Sequence, residues 1–211
     1  MSMKIVAGLG SVDEYIRYCE AGADEFFCGY VPYKWKKKYG TMMALNRREV
    51  LCCNVQIGGE EELEILASMI HVYQKPVHLT FNSLYYLPEQ YPLIGQIISN
   101  CLEMGFRSYI IADPALILYL HEQGINCEIH LSGELGEMNS SVVETFAEMN
   151  LKRIIFHRKN STADMQAVIE AVERNQCSKA GQMEYEAFVL NELCQFSGSF
   201  CNSLHCDELG H

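Results

Sequence analysis

LEMGFRSYIIAD (102–113), HEQGINCEIHLS (121–132) and AEMNLKRIIFHR (147–158) repeat one arrangement, and CEAGADEFFCG (19–29) carries it once more. Each reads as the end of a helix, then Gly or Asn, then a short gap and a β-branched or aromatic run. Gly or Asn just past a helix suits the left-handed C′ position, where a Cβ is costly. The apolar run that follows suits a strand buried on both faces. Helices alternating with such strands predict a parallel sheet, because parallel neighbours need a crossover and the helix supplies it.

Working outward, Ser11 with Glu14 and Ser141 with Glu144 read as S-x-x-E capping boxes. From Thr162 to Arg174, Met165, Val168, Ile169 and Val172 fall at i, i+3, i+4 and i+7, one apolar stripe facing a sheet. Strands are expected at Lys4–Ala7, Glu25–Cys28, Leu51–Val55, Val77–Phe81, Ser108–Ala112, Cys127–Leu131, Arg153–His157 and Tyr185–Val189. Eight strands predict an α/β fold, a compact (β/α)8 TIM-like barrel over residues 1–190, with a cysteine-rich segment, 191–211, at its mouth. Barrels of this type run to about 250 residues, so at 211 an incomplete barrel, or one truncated at the C-terminus, is the alternative.

With 49% hydrophobic and 20% charged residues, the composition is that of one globular domain. No signal-like stretch opens the chain and no apolar run is long enough to span a bilayer, so a cytoplasmic protein is expected. In that setting ten cysteines point to reduced thiols and metal or redox chemistry, not a disulfide framework. The net charge of −11 excludes a general nucleic-acid coat. Yet YVPYKWKKKYGTMMALNRR (30–48) holds six basic residues and no acidic one, leaving ten basic against 27 acidic elsewhere. Such a segment suits a small anionic substrate or, with Trp35 and its flanking tyrosines, RNA. A solvated lysine-rich loop is the plainer reading.

Strand C-terminal ends define the site of a barrel. Here they carry Gly8, Cys28, Asn54 with Gln56, Asn82, Asp113, Ser132 with Glu134, and His157 with Arg158. Local capping is the competing account of Asn82 and Asp113. His71 and His121 read as surface or boundary residues and His78 as packed or hydrogen-bonded, while His130 and Ser132 share a face. Beyond the last strand, ELCQFSGSFCNSLHCDELGH (192–211) places Cys194, Cys201 and Cys206 at C-x6-C-x4-C, a spacing suited to a soft-ligand metal site. Buried apolar thiols are the alternative. A structural zinc site would add His205 or His211, and His211 avoids the strain of adjacent ligands.

In KPVHLTFNSL (75–84), SYIIADPALI (108–117), CEIHLSGELGEMN (127–139), KRIIFHRKNS (152–161) and EYEAFVLNELCQFSGSFC (184–201), the chain resembles the collagenase-like peptidase family U-32. Family positions fall on Asn82, Asp113, His130 to Ser132, Asn139, Arg153, Arg158, Glu186, Cys194 and Cys201. Despite the family's name, the resemblance implies an oxygen-independent hydroxylase on a barrel. Such relatives hold a [4Fe-4S] cluster on four cysteines, modify RNA or ubiquinone precursors, and are expected to take the hydroxyl from prephenate. Carried onto this chain, Ser132, Arg158 and Glu186 are the expected catalytic residues. Asn82, Asp113, Asn139 and Arg153 are expected to bind substrate. Cys194, Cys201 and Cys206 are the expected ligands, with Cys28 a candidate for the fourth. An arginine fork such as Arg158 suits a dicarboxylate.

Departures from the pattern are specific. Where the family reads V-H-G-A-L-C this chain has Val189-Leu190-Asn191-Glu192-Leu193-Cys194, and Lys159 replaces the usual acidic residue after Arg158. The Ser197-Gly198 pair sits one residue early, and the chain stops before the family's later portions. A literal peptidase would need Cys194 as nucleophile with His130 or His157 as base, and no H-E-x-x-H or G-x-S-x-G motif is present. Homo- or hetero-oligomers are both open.

Overall fold

The computed structural model describes residues 3–40, 43–47, 56–174 and 183–190. Along the chain run β1 (Val6–Gly8), α1 (Glu14–Glu20), β2 (Glu25–Gly29), α2 (Tyr33–Tyr39), α3 (Glu60–Tyr73), β3 (Val77–Phe81) and α4 (Tyr91–Met104). There follow β4 (Ser108–Ile111), α5 (Pro114–Glu122), β5 (Glu128–Leu131), α6 (Ser140–Ala147), β6 (Arg153–Ile155), α7 (Thr162–Arg174) and β7 (Glu184–Glu186). The seven strands form one sheet in chain order. This is α/β architecture of the TIM-barrel type, with seven strands among the described residues. The four repeats behave as their sequence predicts: Gly22, Gly105, Gly124 and Asn150 have φ of 102°, 110°, 66° and 56°. After each glycine the chain closes the helix, with Ala23 N–H on Tyr18 O (2.9 Å), Phe106 N–H on Cys101 O (3.0 Å) and Ile125 N–H on Leu120 O (2.9 Å). These bonds satisfy carbonyls that a helix end leaves orphaned.

One compact unit comprises the described residues within 3–83 and 87–109. β1, β2 and β3 pair in parallel, with Ala7 opposite Phe26 and Phe27 opposite His78. The face bearing Phe26, Leu79, Phe81 and Tyr109 is buried under helices. Tyr15 of α1 packs on Phe26 with centroids 4.7 Å apart, and Tyr109 Oη donates to Ile98 O of α4 at 3.2 Å. The opposite face carries a polar row: Lys4 Nζ on Glu25 Oε1 (2.7 Å), Glu25 Oε2 to His78 Nε2 (3.1 Å), and His78 Nδ1 to Ser108 Oγ (2.5 Å). Glu25, His78 and Ser108 are buried at the N-terminal starts of their strands, the end of such folds that serves stability. Burial is tolerable there because each polar group is paired.

The other unit comprises the described residues of 84–86 and 110–190. His130 pairs with Arg153, Arg153 with Glu184 and Ile155 with Glu186 along β5, β6 and β7. Side chains reinforce that register. Arg153 donates through Nη1 to Glu186 Oε2 (2.9 Å) and through Nε to Glu184 Oε2 (3.0 Å), while His130 Nε2 meets Glu128 Oε1 at 3.1 Å. On the other face Ile129, Leu131 and Ile154 are buried, and Phe156 stacks on Tyr185 at 5.8 Å. α7 buries Val168 and Val172 and half-buries Met165 and Ile169, as its stripe predicts.

Several expectations are corrected. Of the eight strands expected, Leu51–Val55 lies outside the described residues. The last strand ends at Glu186, and Val189, expected inside it, is 92% exposed. Part of the expected basic loop is the helix α2. The α6 cap is Asn139, which accepts the Val142 N–H at 3.0 Å, and not Ser141, because the helix already begins at Ser140 and its acceptor must precede it. At α1 only the acidic half of the box forms: Glu14 Oε2 accepts from Gly10 N (2.6 Å) and Ser11 N (3.4 Å).

Candidate functional site

The richest constellation stands on the loops that follow β5 and β6. Ser132 N–H continues the sheet to Ile111 O at 2.8 Å, and its Oγ accepts the Glu134 N–H at 3.2 Å, opening a single 3-10 turn, Gly133–Leu135. A Cβ on Gly133 would lie 2.8 Å from Phe156 O and 3.0 Å from Ile155 O, so only glycine lets this turn press on the end of β6. Asn160 locks the same two loops from the other side. Its Oδ1 accepts the Met138 N–H and its Nδ2 donates to Met138 O, both at 3.2 Å.

Glu134, His157, Arg158 and Phe188 occupy this base. Arg158 Nη2 reaches Glu134 Oε1 at a long 3.4 Å, and its guanidinium carbon lies 5.8 Å from the Phe188 ring centre. The Arg158 side chain is paired with Glu134 and 25% exposed, and a guanidinium fork is the group that suits an anion. His157 is buried, and its Nδ1 accepts the Lys159 N–H at 3.2 Å, which leaves Nε2 to carry the proton. Burial lowers its pKa; Glu137 and Glu134 oppose that, and Arg158 and Lys159 add to it. A neutral imidazole donor beside a guanidinium can bind a carboxylate or phosphate and hold a proton at Nε2.

The expected residues divide into groups. Ser132 and Arg158 belong to this constellation. Glu186 instead binds Arg153, and the pair ties β6 to β7. Asp113 caps α5 through Ala115 N–H (2.9 Å) and also accepts the Tyr86 N–H (3.1 Å); Asn139 caps α6. Asn82, in the other unit, accepts the Arg47 N–H at 2.9 Å. Nearby, Asn46 Nδ2 donates to Gln56 Oε1 at 2.7 Å, close over Gly29. Sequence reading passed over Gly133, Asn160 and Phe188. A glycine directly after a strand-ending Ser was the one available signal.

The described cysteines do not form a ligand set. Cys28 is buried and shares its sheet face with Phe26, toward the helices. Burial pushes the Cys101 thiol up to about 12, helped by Glu60, and Cys127 up to about 11, keeping both protonated. Among the described residues no group of three or more His, Cys, Asp or Glu side chains could hold a metal ion. Cys194, Cys201 and Cys206, with His205 and His211, lie outside those residues. As a donor set, three closely spaced thiols retain the soft chemistry an iron-sulfur cluster requires.

Strand order, crossover helices and a polar constellation at strand ends define a TIM-like α/β barrel protein. The model of peptidase family U32 matches residues 10–206, and the chain belongs to that family. It is 32% identical over 100 residues to tRNA hydroxylation protein P of Escherichia coli (strain K12), a match covering 47% of this chain and 20% of the relative. With the protein of the same name from Helicobacter pylori (strain J99 / ATCC 700824) it is 26% identical over 129 residues, 61% of this chain and 28% of that one. The matched stretch is thus less than a third of either relative. Among solved structures, the U32 peptidase Mk0906 superposes with a TM-score of 0.58 at 13% identity, covering 81% of this chain and 66% of that one. The putative copper homeostasis protein CutC from Streptococcus agalactiae gives 0.56 at 10% identity, covering 88% and 98%. Both show the fold alone. No helix among the described residues is long and apolar enough to cross a membrane.

Proposed function

We propose that this chain takes part in hydroxylation of RNA, with transfer RNA as the substrate class, as an iron-sulfur protein. The observation that carries the reading is the Arg158, His157 and Glu134 constellation on loops locked by Gly133 and Asn160, in a chain whose relatives are named for tRNA hydroxylation. Arg158 binds a carboxylate or phosphate by its fork, Ser132 holds the turn that presents Glu134, and Asn160 holds the loop that follows it at Met138. His157 donates from Nε2 to a substrate oxygen, and Phe188 gives an aromatic wall against which a ring can stack. Prephenate, an aliphatic-ring dicarboxylate, fits such donors as the hydroxyl source.

Cys194, Cys201 and Cys206 would hold the cluster, and Cys28, on the helix side of β2, is the least suited of the four ligands expected. A bound [4Fe-4S] cluster would supply one-electron transfer. The test is anaerobic reconstitution with iron and sulfide, followed by incubation with prephenate and unmodified tRNA and mass analysis of the nucleosides. About four irons and four sulfides per chain, and a nucleoside heavier by one oxygen, are expected. Colourless protein that retains zinc instead would overturn the cluster assignment.

A further inference from the structure

The basic segment after β2 is not the loop its composition suggested, and its aromatic residues have different tasks. Trp35 is fully buried, donates from Nε1 to Met43 O at 2.8 Å and packs against Tyr39 with centroids 4.5 Å apart. It is an anchor, not the base-stacking platform expected of it. By fixing α2 through its inner side, Trp35 dictates what the outer side shows. Tyr33, Lys34, Lys37 and Lys38 are all exposed, Tyr33 at 74%. Positions 33 and 37, and 34 and 38, are one turn apart, so the four side chains share one helix face, with neighbours about 5–6 Å apart.

That face is cationic without compensation. Among the described residues none of these lysines has a carboxylate partner, and Lys38 only lies over the Tyr39 ring at 5.1 Å. No acidic residue occurs from Tyr30 to Arg48, on a chain of net charge −11. Uncompensated charge on a short helix could be dispersed over the surface, yet here it is gathered on one face of a helix anchored by Trp35, which follows β2. Lysines in a row attract a phosphate backbone, and an exposed tyrosine among them offers a ring to an unstacked base. An acidic protein would use the lysines but would leave the tyrosine without a role.

We propose that the outer face of α2, made by Tyr33, Lys34, Lys37 and Lys38, is a docking surface for RNA. The inference rests on the reading that this chain handles RNA, and adds where the nucleic acid is held. Its test is equilibrium binding of the full chain to fluorescently labelled tRNA across a salt series, for the wild type, Lys34→Gln/Lys37→Gln/Lys38→Gln and Tyr33→Ala. Glutamine keeps helix propensity at exposed positions, and circular dichroism checks that the fold is kept. The triple variant should bind about tenfold or more weakly near 0.1 M salt, and the slope of log affinity against log salt should fall by roughly two to three. Tyr33→Ala should weaken binding about fivefold or more with the slope unchanged. If the wild type binds tRNA and the triple variant binds it equally, with the same slope, the docking surface is refuted and the RNA reading stands. A wild type that binds no tRNA overturns both. Displacement of tRNA by poly-L-glutamate as effectively as by unlabelled tRNA would reassign the surface to an acidic protein.

Discussion

Gly133→Ala tests the close approach on which the candidate site is built. The added methyl would sit 2.8 Å from Phe156 O and 3.0 Å from Ile155 O. Ordinary carbon–oxygen contacts lie at about 3.3–3.6 Å, so the turn must retreat by about 0.5 Å. Both obstacles are backbone carbonyls, which cannot swing aside as a side chain would. Overpacking of this kind costs about 1–3 kcal/mol, and the reduced freedom of the unfolded chain returns about 0.4–1 kcal/mol. A net loss of about 1–2 kcal/mol follows. Gly58→Ala is the matched control, since its Cβ would meet nothing closer than Glu62 Oε2 at 3.8 Å. Urea unfolding reads the difference: Gly133→Ala should lower the midpoint by roughly 0.5–1 M at a slope of about 2 kcal/mol/M, and Gly58→Ala should leave it level or raised. Equal midpoints for the two variants would refute the close-approach argument.

His157 makes stability pH-dependent with a definite sign. Its folded pKa lies below the ordinary value because burial disfavours the charged ring, so below about pH 6.5 the unfolded chain binds the extra proton and stability falls as pH drops. His157→Gln should flatten that part of the profile in urea midpoints taken from pH 7.5 to 5.5, and an unchanged profile would show that His157 is not its source. Arg153→Met strands Glu186 and leaves Glu184 only its Lys152 partner at 3.6 Å, and should cost about 2–3 kcal/mol, less than a fully buried pair because Glu184 is 33% exposed. Adding Glu186→Gln should restore part of the loss. If the two costs simply add, Arg153 and Glu186 are not coupled as described.

The amount legible in sequence varied with the range of the interaction involved. The left-handed residues at Gly22, Gly105, Gly124 and Asn150 were readable because a helix stop is set within a few residues. The stripe of α7 was readable for the same reason. The Asn139 cap was misplaced by two residues because Ser and Asn compete for the same role, and only the helix start decides between them. At the candidate site, Arg158 and Ser132 announced themselves as polar strand ends. Gly133 and Asn160 did not, because what makes them matter is a carbonyl or amide more than twenty residues away along the chain. Trp35 was misread for a related reason: its neighbours in sequence are lysines, but its neighbour in space is the Met43 carbonyl.

By itself, then, the sequence determined the alternation of helix and strand, the points where helices stop, the uneven distribution of charge and the presence of three thiols near the C-terminus. All of these are properties of local periodicity and composition. Only the tertiary structure decided which polar residues hold the sheet, as Glu25, His78, Arg153 and Glu186 do, and which meet across the loops beyond it, as Arg158 and Glu134 do. The physical reason is that a side chain's availability depends on partners brought near by strand register. A shift of one residue in that register would exchange the polar face of every strand for its apolar one.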